Sequence, residues 1–547
     1  MRNWTLSSRL KSDLIELIGS IYPQQDSEVL LAQIVEAFWS GDHLPRRKSR
    51  TLSAAPWSEK DSYLIAYGNS IVDGEHKPLD LLHDFLLANL KGVVNGVHIL
   101  PFFPFTSDDG FAITDYRTVN STLGDWEDIN RISHNFRLMS DLVLNHCSSQ
   151  SAWFNDYLQG HEPYDKFFFE ASPDDDLSEV VRPRAHALLR AVETANGPRH
   201  VWCTFSHDQV DFDFSNPEVL LEFLRIMRFH IDQGVRTIRL DAVAFIWKEI
   251  GTSCIHLPQT HAIVRLMRVL ADYSDVPLVL ITETNVPKNE NLSYFGNRNE
   301  AHVIYNFSLP PLILQALLHG PSKTLNAWQM TMPPAQPGCT YFNFTASHDG
   351  IGLRPAEGLL ADDEIDGMID TVKGFGGLVS MREAAGGTSR PYELNVSLFD
   401  ALSGTVKGKD EWNIGRFLCG QAIAMALEGI PAFYIHSLLA TPNDLAGVEK
   451  TNHNRAINRH RWHYPELLEK LADPSSQMFG FWRQSRDRSQ SIFAIHNVTD
   501  ETVSIPTRSL NLFDGENWKD LVSGQQLQEF GGDITFAPYQ VRWITNQ

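Results

Sequence analysis

Four apolar stretches of this chain end on residues that can do chemistry. DLVLNH finishes with Asn145 and His146, and TIRLDAVAF carries Arg239 and Asp241. LVLITET holds Glu283, and NFTASHD ends on His348 and Asp349. A charged group just past a buried strand is costly unless it is paired or used. One such ending is unremarkable, and an Arg-x-Asp on one strand is, taken alone, most often a structural ion pair. Four endings of the same kind imply one shared mouth. Three carboxylates there suit glycosidic-bond chemistry, in which an ionised carboxylate attacks carbon and a second, of raised pKa, handles the proton. Arg239 stands two residues before Asp241, hence on the same face of a strand, and its charge favours an ionised Asp241. Glu283 follows an apolar run, a setting that raises a carboxyl pKa. Asp349, beside His348, is placed to bind sugar hydroxyls and stabilise a cationic transition state.

The elements that must hold these residues recur along the chain. Eight short apolar runs begin at Tyr63: YLIAYGNSI, GVVNGVHILPFF, RLMSDLVLNH, VRTIRLDAVAF, VPLVLITET, AHVIYNFS, TYFNFTASHD and IPAFYIHS. Most are separated by stretches with helical apolar spacing, such as LLHDFLLANL and EVLLEFLRIMRFHIDQ. Continuous apolar runs joined by helices read as buried parallel strands with helical crossovers. Eight such units predict an α/β fold, a (β/α)8 TIM barrel whose site lies at the C-terminal ends of its strands. We assign residues 61–465 to this catalytic barrel. Two interruptions break its rhythm, an inserted domain at about 147–215 and a loop-rich, Gly-containing insertion at about 350–410. Residues 1–60 carry apolar residues at helical spacing and form an N-terminal helical extension. RRKSRTLS, at 46–53, reads as a solvated connector. Residues 466–547 alternate apolar and polar (SIFAIHNVT, ETVSIP, DITFAPYQVRWIT) and predict a small antiparallel β-domain.

Composition removes other classes. Lys and Arg total 46 against 67 Asp and Glu, a net charge of −21 over 547 residues. Such a field repels nucleic acid and anionic membranes, so neither is expected as a partner. No apolar run reaches 18 residues, and the first residues lack the apolar core of a secretory signal. A cytoplasmic location is expected. The five cysteines are scattered and form no CxxC pair, so neither a disulfide framework nor a zinc site is implied.

LVLNH (142–146), IRLDAVAF (238–245), ITET (281–284) and ASHDG (346–350) resemble, in order and spacing, the four signature segments of the α-amylase superfamily, glycoside hydrolase family 13. The resemblance spans about residues 60–460. It implies that Asp241 is the nucleophile, Glu283 the acid/base and Asp349 the transition-state stabiliser. His146, Arg239, Phe245 and His348 fall in the same segments, and Arg239, His146 and His348 would contact the glucosyl unit or the nucleophile. PFFPFTSDDGFAITDY (101–116), RPR (182–184), VWCTFSHDQVDFDF (201–214), WKEIGTSCIH (247–256) and NRAINRH (454–460) narrow the likeness to the sucrose phosphorylase subfamily. That implies Asp108 and Arg455 gripping the glucosyl ring and Phe111 as an aromatic platform.

Two positions depart from the sucrose-specific pattern. Asp109 stands where those enzymes commonly carry Arg, and the loop PYELN has Tyr392-Glu393 where they have Tyr-Gln. With the N-terminal extension, these features resemble the branch acting on glucosylglycerate, with glucosylglycerol second. A glycerate carboxylate or a phosphate needs a cationic partner, and Arg184 and Arg390 are the candidates. The implied activity is retaining transfer of glucosyl from a small glucoside to inorganic phosphate. Phosphate is then a co-substrate, and neither cofactor nor metal is implied. Sucrose or glucosylglycerol phosphorolysis, an α-glucosidase-type hydrolase and a silent carbohydrate-binding scaffold are the alternatives, and a homodimer is left open.

Overall fold

The computed structural model describes residues 6–39, 56–184, 186–384, 388–471, 478–484, 490–497, 500–507, 518–527 and 532–546. The basic connector at 46–53 and the AGG stretch at 385–387 lie outside them. The chain divides into two compact units, Met1–Arg461 and Trp462–Gln547.

The first unit is built on a closed barrel of eight parallel strands: β1 (Tyr63–Ala66), β2 (Gly96–Ile99), β3 (Arg137–Val143), β4 (Val235–Asp241), β5 (Val279–Thr282), β6 (Val303–Tyr305), β7 (Thr340–Asn343) and β8 (Ile430–Tyr434). Each pairs with the next in sequence, and β1 closes against β8. All eight apolar runs of the sequence supply a strand. They are buried on both faces, by the lumen packing within and by the helices without, which is why they read as unbroken apolar runs. Polar lumen groups are satisfied internally, as where Tyr63 Oη meets Thr237 Oγ1 at 2.9 Å.

Helices α1 (Ser8–Ile21) and α2 (Ser27–Trp39) precede the barrel, and α3 (Pro78–Phe85) and α4 (Trp126–Asn135) follow its first strands. α5 (Pro217–Asp232) and α6 (Pro258–Asp272) flank β4 and β5. α5 starts where Pro217 follows Asn216, whose side chain accepts from the Glu218 amide. α1 packs on α6 and α2 on α5, burying Leu14, Ile18 and Phe38. The N-terminal helices thus continue the barrel's outer layer.

In the first insertion, His146–Ser148 pairs antiparallel with Gln209–Asp211, and Leu189–Thr194 with Gly197–Trp202. In the second, Thr388–Asn395 pairs with both Ile351–Gly352 and Leu378–Ala384. Its small core of Leu353, Met368, Val372 and Leu394 is shared with the helix Leu309–His319 outside β6. The second unit is antiparallel β-structure around Trp518, Phe536 and Ile544. No helix among the described residues is long and apolar enough to cross a membrane.

Candidate active site

The strand-end residues converge. One cavity at the C-terminal mouth is lined by Asp108, Phe111, His146, Arg184, Arg239, Asp241, Glu283, His348, Asp349, Tyr392 and Arg455, with Phe205, Gln209, Ala242 and Asn285 between them. Eleven of the residues singled out from the sequence line this cavity, and Phe245 and Glu393 stand behind it, against Phe205 and Arg455 of the lining. A larger cavity of about 580 Å³ opens beside it, bordered by Tyr67, Asp109, Arg459 and His460. It contains none of the three strand-end carboxylates, so the chemistry belongs to the smaller one.

Arg239 organises the centre. Its side chain is 2% exposed, and Nη1 donates to Asp241 Oδ1 at 2.6 Å and to Asp141 Oδ1. Nη2 stands 4.0 Å from Glu283 Oε1. Asp141, fully buried one strand away on β3, also pairs with His98 Nε2 at 2.8 Å. Burial alone would raise Asp141, yet His98 and Arg239 hold it down at about 2, so it is a permanent anion under the arginine. Ala242, next after Asp241, has φ 50°, a left-handed backbone that costs a non-glycine residue energy. That turn aims the Ala242 amide at Glu283 Oε2, 3.1 Å away.

Burial raises Asp241 well above the usual carboxylate range, against the pull of Arg239, with Glu283, Asp141 and Asp349 adding to the rise. Burial raises Glu283 as well, with Asp349 adding. The pair therefore retains a proton. Because Arg239 donates to Asp241 at hydrogen-bond distance and stays 4.0 Å from Glu283, that proton belongs on Glu283. Asp349 is the opposite case. Burial would raise it, but Arg455 at 2.6 Å and Arg459 hold it well below the usual carboxylate range. The two histidines are neutral: burial pushes His146 down to about 4 and His348 well below the imidazole range.

The turn carrying Asp108 is strained. Asp108 and Asp109 have φ of 52° and 47°, and Gly110 has φ 117° with space for no Cβ, which would sit 2.6 Å from the Pro101 carbonyl. Such backbone recurs where function fixes a side chain. Here it turns Asp108 toward Arg455, 3.8 Å away, and Asp109 toward Arg459, 2.7 Å away. Phe111 stacks on His348 with centroids 5.0 Å apart and planes 7° from parallel. Phe245 stands behind the lining, edge-on to Phe205 at 5.5 Å.

Arg455 is fixed from two sides. Nη1 donates to Asp349, while Nε and Nη2 donate to the two oxygens of Glu393 at 2.8 and 2.9 Å. Glu393 is 1% exposed and, despite burial, is held below the usual range by Arg455. Its carboxylate is thus committed to positioning a guanidinium. Tyr392 reaches the cavity, and Glu393 the Arg455 side chain behind it, because the strand pairing slips at Ser380/Met381, leaving Tyr392 as an extra, bulged residue.

Arg390 departs from expectation. It lies across from Arg382 on the same ribbon with its side chain exposed, and the cavity lining does not include it. Arg184 alone of the two candidates is at the mouth, its guanidinium 5.0 Å from the Tyr392 ring centroid and 5.9 Å from that of Phe205. Sequence reading missed Asp141, Gln209, Phe205 and Arg459. Arg459 donates to the His348 carbonyl at 2.8 Å and so sets the β7 loop. Only the charge-dense stretch NRAINRH pointed toward it. Among the described residues, no group of three or more His, Cys, Asp or Glu is arranged to hold a metal ion.

The fold and cavity define a (β/α)8-barrel protein with an arginine-centred carboxylate site at its C-terminal mouth. The α-amylase catalytic-domain model matches residues 87–348. The chain is 41% identical to glucosylglycerate phosphorylase of Spirochaeta thermophila across 97% of this chain and 98% of that protein. It is 37% identical to the Escherichia coli glucosylglycerate phosphorylase across 98% and 100%. The crystal structure of sucrose 6F-phosphate phosphorylase from Thermoanaerobacter thermosaccharolyticum superposes with a TM-score of 0.68 at 24% identity, covering 90% of this chain and 100% of that one. This chain belongs to the α-amylase superfamily, glycoside hydrolase family 13, in its sucrose phosphorylase subfamily.

Proposed function

We propose that this chain is a retaining α-glucoside phosphorylase that moves the glucosyl unit of 2-O-α-glucosylglycerate to inorganic phosphate. Asp241 attacks the anomeric carbon while Glu283 gives its proton to the departing glycerate oxygen, leaving a β-glucosyl ester on Asp241. Phosphate then attacks the same carbon as Glu283 takes back a proton, and Asp241 leaves. Two inversions give α-glucose 1-phosphate with net retention. Asp349 and Asp108, held by Arg455, bind the ring hydroxyls, and Asp349 faces the charge that develops in the transition state. Arg184 supplies the positive charge for the glycerate carboxylate and, in the second half-reaction, for phosphate. The observation that carries the chemistry is Arg239, bonded to Asp241 and stopping 4.0 Å short of Glu283, so that one carboxylate is ionised beside one that keeps its proton. The choice of glucoside is supported by the end-to-end likeness to glucosylglycerate phosphorylases.

Phosphorolysis of glucosylglycerate, glucosylglycerol and sucrose, assayed in parallel with and without phosphate, tests both parts. We expect phosphate-dependent glucose 1-phosphate, fastest from glucosylglycerate. Free glucose released equally well without phosphate rejects the phosphorylase reading, and sucrose turned over as fast rejects the acceptor. A phosphorylated product is retained behind a membrane, which fits action in the cytoplasm. Cell fractionation that recovers the activity outside the cytoplasm rejects that placement.

A further inference from the structure

Behind the cavity lining lies a buried lysine that the reaction does not use. Lys248 follows β4 in the turn after Asp241, and its side chain is 1% exposed. Its Nζ donates to Asn145 Oδ1 at 2.9 Å and to the Phe245 carbonyl at 2.9 Å, and lies 3.0 Å from Asp211 Oδ2. An ammonium has three N–H groups, and here each has an oxygen. The oxygens come from three separate segments: the end of β3, the turn after β4, and the strand Gln209–Asp211 of the first insertion. Asn145 Nδ2 donates to the same Asp211 oxygen at 2.8 Å, so the three segments form one closed network.

Each segment carries part of the sugar site. Asn145 precedes His146. Gln209 shares a strand with Asp211, and its Nε2 lies 3.1 Å from His146 Nε2 and 3.5 Å from Asp108 Oδ2. Phe245 packs on Phe205 of the lining. A buried ammonium is strongly unfavourable unless fully paired, so this arrangement holds only while all three segments stay in place. We infer that Lys248 is a positioning residue of the glucosyl site, an internal cation that pins the strand Gln209–Asp211 to the ends of β3 and β4 and so sets where His146 and Gln209 meet the sugar. This deepens the reading above and rests on it.

The network also fixes the charge around His146. The charged groups that face it are Asp211 on the paired strand Gln209–Asp211, Asp108 in the strained turn and Lys248 itself. Asp211 and Asp108 favour the imidazolium and Lys248 opposes it, so removing the lysine charge leaves His146 beside an unbalanced buried carboxylate. Lys248→Met and the Lys248→Met/Asp211→Asn double variant separate pinning from charge. The readouts are the pH profile of kcat/KM for phosphorolysis, KM for the glucoside, and the His146 titration by NMR with ring-labelled histidine. In Lys248→Met we expect KM to rise about tenfold or more and the His146 pKa to rise by about 1–3 units. The double variant returns the His146 pKa toward wild type but keeps the raised KM, because no pin remains. A wild-type KM in either variant overturns the proposal, as does a His146 titration in Lys248→Met that matches wild type. If Lys248→Met does not fold, the double variant, with no unpaired buried charge, carries the KM test. Absence of glucose 1-phosphate from the wild type overturns the phosphorylase reading instead, and the His146 titration then judges Lys248 without turnover.

Discussion

At Glu283 the proton transfer can be separated from the scaffold. Its carboxyl is held by the Ala242 amide and by burial rather than by a salt bridge at contact distance. A Gln accepts the same amide hydrogen bond but gives no proton. Glu283→Gln is therefore expected to fold normally and lose roughly 10²–10⁴-fold in turnover of glucosylglycerate, the range for a missing general acid. α-Glucosyl fluoride needs no proton to depart, so formation of the glucosyl-enzyme from it is expected to survive. Burst kinetics with the two donors check this. A variant that loses both donors equally removes Glu283 as the acid. Asp241→Asn is the contrasting case, because no donor bypasses the nucleophile, and both are expected to be lost.

At the scale of elements, two arginines from different insertions are candidates for one role, and strand geometry brings only Arg184 to the cavity. Tyr392 is the bulged residue of its ribbon, which turns Tyr392 to the cavity and Glu393 to Arg455 and leaves Arg390 outward. Arg184 lies against Tyr392 from the other insertion. A charge-assisted hydrogen bond is worth about 1.5–3 kcal/mol. Arg184→Ala is thus expected to raise KM for glucosylglycerate by roughly 10–100-fold while changing that for neutral glucosylglycerol little, and Arg390→Ala is expected to change neither. Steady-state kinetics on both glucosides measure it, and equal losses on both would remove the carboxylate contact. The same comparison shows what the chain's order reveals. Asp241, Glu283 and Asp349 were legible because each ends or follows an apolar run, and all eight strands were legible because burial on both faces leaves unbroken apolar runs. A bulge leaves no mark in composition. Asp109 and Arg459 meet across 350 residues of chain, and Lys248 and Asn145 across 103, so no local spacing records either contact.

For the whole molecule, acid stability turns on histidines buried without charge. His230 is fully buried, stacked 5.0 Å from Phe103 with its Nε2 on the Tyr116 carbonyl at 2.9 Å, and burial pushes its pKa down to about 4. Burial likewise lowers His436 to about 3 and His146 to about 4. An unfolded chain protonates these groups near 6.5. Above that pH neither state binds the proton and their neutral packing is intact. As pH falls from about 6.5 toward 4 the unfolded state takes up protons that the folded state refuses, so stability is lost across this window. The net charge of −21 works the other way, since protonation relieves repulsion. Exposed carboxylates, however, titrate near 4, so the histidines dominate the upper part of the window. Each contributes a slope of roughly 1.4 kcal/mol per pH unit. His230→Gln offers an amide donor toward the Tyr116 carbonyl and cannot titrate. Its unfolding free energy, measured by denaturant from pH 7 to 5, is expected to fall less steeply than wild type by about one proton's slope. Parallel curves for the two proteins would mean that His230 already carries its proton in the fold, and the account of its buried neutrality would then be wrong.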